Sequence, residues 1–299
     1  MRRIFCMLFL IALLPVIGLW AGPKRMVDLV YFSYNRPLQL YALLESTEQY
    51  FTNINELHVV YRASSDAYAK AYDELFLRFP QVKPHRQSDS PEKDFKPLTL
   101  ASVFSESSRC PYVMFAVDDM IVTDHVDLAV CTKAMDRWKA YGFYLRLGQN
   151  ITFCYMENRA SPLPPGKVVE GGCFLWRFRD ATGGDWRYPN TTDMTIYRKK
   201  AIAPHLKELD YINPNTFESL WDQRKDLDQY GICFEYSKNI NLPMNIVTTF
   251  RNRHAHLYSV KRLLTLFQRG KKIDIRTFHQ VRNPSPHVPY KPRFVRRSN

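Results

Sequence analysis

Between Met26 and Leu147 short apolar, β-prone runs alternate with stretches of helical periodicity, and this alternation narrows the fold to one class. Residues 27–33 read as a first strand. Pro37 stands where a helix would start, and Leu38, Tyr41, Leu44 and Glu48 come after it at helical spacing. Residues 56–61, 82–85, 112–117 and 141–147 read as further strands, with helices over 65–79, 95–108 and 124–139. A βαβαβαβ order predicts an α/β domain with a mostly parallel central sheet and helices on both faces. After Gln149 the pattern changes to Pro, Gly and aromatic residues, which predicts short strands and long loops over 150–192. Met194 to Arg198 and residues 232–236 read as late strands, and residues 199–209, 214–229 and 260–269 as helices.

The chain divides into three segments. Residues 1–25 carry Arg2 and Arg3 before an uncharged apolar run, so they are a signal peptide or an N-terminal membrane anchor. The run is long for a signal, which favours an uncleaved anchor and a membrane-associated protein; secretion after cleavage is the alternative. Residues 26–282 form the folded body, and 283–299 read as a loose, basic, Pro-rich tail. With 45% hydrophobic and 24% charged residues over its full length, the chain has an ordinary globular composition. The net charge of the whole chain, +13, favours anionic partners, but the basic residues are scattered and no nucleic-acid-binding motif appears, so nucleic acid is not among the expected partners. The six cysteines lack CxxC spacing, and one lies in the leader, which predicts mainly buried free thiols with at most one bridge.

Asp118 and Asp119 directly succeed the apolar run from Tyr112 to Val117. Two adjacent carboxylates there cannot be more core, because buried charges must be paired or bound to a cation. Ligands bind at the carboxyl ends of strands in open α/β sheets, and two hard oxygen donors suit Mg²⁺ or Mn²⁺ holding a diphosphate. The other reading is a turn in which one Asp caps a following helix.

The stretch from Asp28 through Ser33, Tyr34, Asn35 and Arg36 to Pro37 resembles the opening strand and loop of nucleotide-sugar glycosyltransferases with the GT-A fold. In that family an acidic motif ends a later strand, and Val117, Asp118 and Asp119 match it roughly eighty residues on, as three βα units require. The resemblance runs over residues 27–250 and implies a GT-A-like domain, a Rossmann-related nucleotide-binding half followed by an acceptor half. It implies a nucleotide-diphosphate sugar donor, a glycan, lipid-linked or polysaccharide acceptor, and Mn²⁺ or Mg²⁺ as cofactor.

Carried onto this chain, the resemblance makes Asp119 a metal ligand, with Asp118 a second ligand or turned towards ribose. Tyr34, Asn35 and Arg36 become base and phosphate contacts, since an aromatic face stacks on a base and Arg suits phosphate. Arg62 could face the nucleotide or be a solvated surface residue, and Lys96 could reach a phosphate from its helix. Met120 stands where the family has a further carboxylate, so the late histidines His254 and His256 are the places to seek another ligand, His256 first; an exposed basic loop is the alternative. Glu218 is the candidate general base of an inverting transfer, or else a helix-start Glu in a capping box with Asn215. Asp185, beside Gly183 and Gly184, is the rival base or acceptor contact, or part of a plain turn. Two other functions stay open: another nucleotide-using transferase such as a nucleotidyltransferase, although no Gly-rich phosphate loop appears, and a non-catalytic binding protein on a degenerate transferase fold.

Overall fold

The alternation in the first half of the chain becomes a parallel sheet. In the structure, a computed structural model that describes residues 26–247 and 253–297, strands β1 (Val27–Tyr34), β2 (Ile54–Arg62), β3 (Val82–Arg86) and β4 (Tyr112–Val117) lie in the order β3-β2-β1-β4, all parallel. Helices α1 (Pro37–Tyr50), α2 (Asp66–Arg78) and α3 (Pro91–Val103) make the crossovers. Later in the chain come five more strands: β5 (Gly142–Tyr144), β6 (Gly166–Val169), β7 (Cys173–Arg177), β8 (Thr195–Arg198) and β9 (Tyr230–Cys233). They complete one nine-stranded sheet, β6-β7-β9-β5-β8-β4-β1-β2-β3, in which only β7 and β8 run against the rest. The sheet is therefore mostly parallel, although β4 meets a parallel neighbour on one side and the antiparallel β8 on the other.

Side-chain alternation along the central strands sorts the core into two layers. Leu29, Tyr31, Val59, Met114 and Ala116 pack with α1, α2, α4 (Leu128–Trp138) and α7 (Val260–Gln268). Val30, Phe32, Val60, Val113 and Phe115 pack with α3, α5 (Lys199–Glu208) and α6 (Pro214–Asp222) on the opposite face. Strands buried on both faces must read as continuous apolar runs, which is why β1 and β4 were legible in the sequence. A third aromatic cluster, with Tyr144, Trp176 and Trp186, fills the Gly- and Pro-rich half.

Several expectations need correction. The helix after the carboxylates begins only at Leu128, capped by Asp127, whose Oδ1 accepts from Ala129 N at 2.9 Å. Directly after Asp119 the chain forms a short strand, Met120–Val122, paired antiparallel with Asn239–Asn241, so neither Asp118 nor Asp119 caps a helix. The helix from Pro214 ends at Asp222, well short of 229. The segment beyond 282 is not a loose tail: Asn283, Ser285 and His287 are buried, and Phe294–Arg296 pairs with Lys271–Ile273. Its polar groups bond to backbone of the body, a pattern that hydropathy does not register. All five described cysteines are free thiols. The leader lies outside the described residues; among those described, no helix is long and apolar enough to cross a membrane.

One buried charge fastens the lower end of this sheet. Asp28 on β1 is fully buried and meets Lys199 Nζ at 2.5 Å, Asn55 Nδ2 at 2.7 Å and Ser108 Oγ at 2.5 Å. Replacing Lys199 by Met would strand that carboxylate and should cost about 3–5 kcal/mol of unfolding free energy, measured by urea denaturation. The double variant with Asp28→Asn should recover much of the loss.

Candidate active site

At the carboxyl end of β1 and β4 the chain opens into a cavity of about 640 Å³. Position, size and lining are those of a small-molecule site on an open α/β sheet. Its floor is built around Arg36. Pro37 opens α1 and leaves Arg36 as N-cap, with its backbone N–H bonded to the Tyr72 hydroxyl at 3.1 Å. The Arg36 guanidinium points beneath the two carboxylates. Nη1 donates to Asp118 Oδ1 at 2.9 Å and to Asp119 Oδ2 at 3.2 Å, Nε to Asn245 Oδ1 at 2.9 Å, and Nη2 to Asn245 O at 2.6 Å. Those bonds engage four of the five guanidinium N–H groups.

The other oxygen of each carboxylate is also held. Asp118 Oδ2 accepts from Ser33 Oγ at 2.8 Å and from Tyr34 N at 3.2 Å, and Asp119 Oδ1 accepts from Asn241 Nδ2 at 2.9 Å. Burial pushes the Asp118 carboxyl up to about 6, against the pull of Arg36 and with the Asp119 charge adding to the rise. Above this floor Arg62 lies over the Tyr34 ring at 4.8 Å, so guanidinium and phenol form one stacked platform facing the cavity.

The opposite wall comes from α6 and the turn before β8. Asn213, not Asn215, is the N-cap of α6 and forms its capping box with Thr216. Glu218 is therefore not a capping residue; its Oε1 accepts from Thr192 N at 2.8 Å, and the side chain lines the cavity. Burial, with the Asp193 charge next in size, raises the Glu218 carboxyl to about 7. Asp193 lines the same wall, and burial raises its carboxyl as well, while His287 and Arg146 oppose that rise.

Of the residues singled out by sequence, Tyr34, Arg36, Arg62, Asp118, Asp119 and Glu218 thus share one cavity, and His254 joins them. Four others do not line it. Asn35 adopts a left-handed backbone (φ 54°) and ties the turn to Ser64 through both ends of its amide. Lys96 turns to Asp210 at 3.2 Å and lies over Tyr211. Asp185 forms an ion pair with the buried Arg146 at 2.5 Å. Gly183 and Gly184 make a close approach there to Arg159 and Ser161, protein groups rather than ligand. His256 lies off the cavity, its ring 6.3 Å from that of His254.

Of the three metal ligands expected, Asp118 and Asp119 line the cavity together and His256 does not. Arg36 bridges the two carboxylates, and among the described residues no three His, Cys, Asp or Glu side chains stand around one point. Sequence reading missed Asn241, Asn245, Arg146 and His287. The two asparagines lie in an unpatterned stretch and His287 in a Pro-rich end, so no local signal marked them.

No family model matches the chain. It is 25% identical over 188 residues to the bifunctional glycosyltransferase pgtA of Dictyostelium discoideum, a stretch of 58% of this chain and 24% of that protein. The chain thus spans about a quarter of the curated relative that it matches. Solved structures with similar folds include S. aureus TarS 1-349 in complex with UDP (TM-score 0.44, 12% identity, 81% of this chain and 65% of that one). Another is 4-diphosphocytidyl-2C-methyl-D-erythritol synthase from Anaerococcus prevotii (TM-score 0.40, 13% identity, 76% and 92%).

The raised Glu218 carboxyl has a consequence for stability. A carboxyl whose folded pKa lies above its unfolded value adds stability at low pH and loses it as pH rises through the folded value. Between its ordinary 4.5 and about 7, Glu218 therefore becomes progressively unfavourable as it ionises. Glu218→Gln keeps the acceptor for Thr192 N–H and should unfold like the wild type at pH 5. At pH 8 it should be more stable, on the order of 1–2 kcal/mol, by paired thermal and urea melts.

Proposed function

We propose that the chain is a glycosyltransferase that moves a sugar from a nucleotide-diphosphate donor to a hydroxyl of a glycan, lipid-linked or polysaccharide acceptor, with inversion. The observation that carries this reading is the pairing, within one 640 Å³ cavity, of the Tyr34–Arg62 platform with a carboxyl whose proton affinity lies near neutrality, Glu218. A base is most effective when its pKa is near the working pH.

The nucleobase stacks against the Tyr34–Arg62 platform, and the diphosphate lies towards Arg36, Arg62 and the strand ends. The acceptor oxygen bonds to the anomeric carbon as the bond from that carbon to the diphosphate oxygen breaks. Glu218 takes the hydroxyl proton, and the nucleoside diphosphate departs with the bonding pair. Asp118 and Asp119, bridged by Arg36, shape the floor.

A donor screen that tracks released nucleoside diphosphate tests the reading. Glu218→Gln should lower kcat by about 10²–10⁴ with donor affinity nearly unchanged. Arg62→Ala should instead weaken nucleotide binding by roughly tenfold, through the lost stack and charge. Turnover of Glu218→Gln within about twofold of wild type would remove the base from the mechanism, and no turnover of any donor by the wild type would remove the activity.

A further inference from the structure

Backbone hydrogen bonds lash the C-terminal segment to the body on both sides of His287. Pro284 O accepts from Thr152 N and Phe153 N at 2.8 Å, and Tyr155 N donates to Ser285 Oγ at 3.2 Å. Asn241 N donates to Pro286 O at 2.9 Å, and Val288 N donates to Asn241 O at 3.0 Å. With its neighbours fixed, His287 has a set direction: it is nine-tenths buried, at 9% exposure, and lines the cavity. Its Nε2 lies 3.6 Å from Asp193 Oδ2, too long for a hydrogen bond but within ion-pair range. Its Nδ1 is buried with no partner. Most buried polar atoms have a partner, and Nδ1 leaves one position open beside the cavity.

We propose that His287 is a positioning residue for Asp193, and that the pair holds a hydroxyl of the transferring sugar beside Glu218. The inference rests on the glycosyltransferase reading for its substrate, though not for the pairing itself. Asp193 Oδ2 receives the Nε2–H of His287, a contact that shortens on closure around ligand as active-site hydrogen bonds commonly do. The remaining acceptor positions of the carboxylate are open to sugar hydroxyls. The groups facing Asp193 are His287, Arg146, Asp119, Asp185 and Glu218. Burial favours its protonated form, and His287 is the larger of the two cations that keep it a carboxylate. A protonated Asp193 would offer the sugar one acceptor fewer.

Two readouts test the pair. In the donor assay His287→Ala should lose about 10–100-fold in kcat, the range for supporting residues around a site, with the Kd for UDP within about twofold of wild type. The acid limb of its kcat profile should move to higher pH, because Asp193 protonates more readily without its cation. His287→Gln, which keeps an N–H donor, should recover most of the kcat. Wild-type kcat with an unmoved limb in His287→Ala would overturn the proposal, as would equal losses of kcat and Tm in the Ala and Gln variants.

NMR of histidine-labelled protein reads the pair without turnover. The ring signals of His287 should move in Asp193→Asn relative to wild type, and unchanged signals overturn the pairing. If no donor is turned over by the wild type while these signals move, the transferase reading fails and the pairing stands.

Discussion

The site depends on one guanidinium. Two carboxylates at the end of a buried strand repel each other and lose hydration, and such a pair persists only with a cation close by. Arg36 supplies it from the same chain, bridging Asp118 and Asp119 while Asn245 holds its other edge. Three parts of the sequence thereby become one object: the turn after β1, the end of β4 and the segment around Asn241 and Asn245. A Lys could supply the charge but not the fork, which needs several N–H groups in one plane. Pro37 contributes by starting α1 where it does, since that leaves Arg36 at the helix mouth with its side chain free to turn under the carboxylates.

The opposite wall obeys another electrostatic rule. Glu218 and Asp193 are neighbours of like charge, both shielded from water, and each makes ionisation of the other harder. Cations offset this unequally: Arg146 acts on both, while His287 acts chiefly on Asp193. One of these cations comes from a C-terminal segment wound back across the body, so His287 belongs to the cavity wall as Tyr34 does.

The legible parts of this structure are those governed by local rules. Strands β1 and β4 announced themselves because burial on both faces demands unbroken apolar runs, and Asp118 and Asp119 stood out because charge at such a place needs a partner. Tyr34, Arg36 and Arg62 reached the cavity because each sits at an element end on the ligand side of the sheet, and Glu218 lines it from the middle of α6. Lys96 was misplaced because a long side chain on a helix can turn to either flank, and Asp210 claimed it. Asp185 sits in a glycine turn, as read, but the partner in its close approach is protein. His256 and His287 show the limit most directly. Both are late histidines, and only the path of the chain decides which one reaches the cavity.

By itself the sequence determined the class of fold, its order of strands and helices through the first half, and a pair of charges at the mouth of the sheet. These come from hydrophobic periodicity and from the cost of an unpaired buried charge, both of which act over a few residues. Tertiary structure alone decided what neutralises that pair, which carboxylate shares a wall with Glu218, and that the end of the chain closes the site. Those outcomes rest on contacts between residues far apart in sequence, such as Arg36 with Asn245 and Asp193 with His287. No local pattern encodes such a contact, because its energy exists only once packing has brought both partners to the same place.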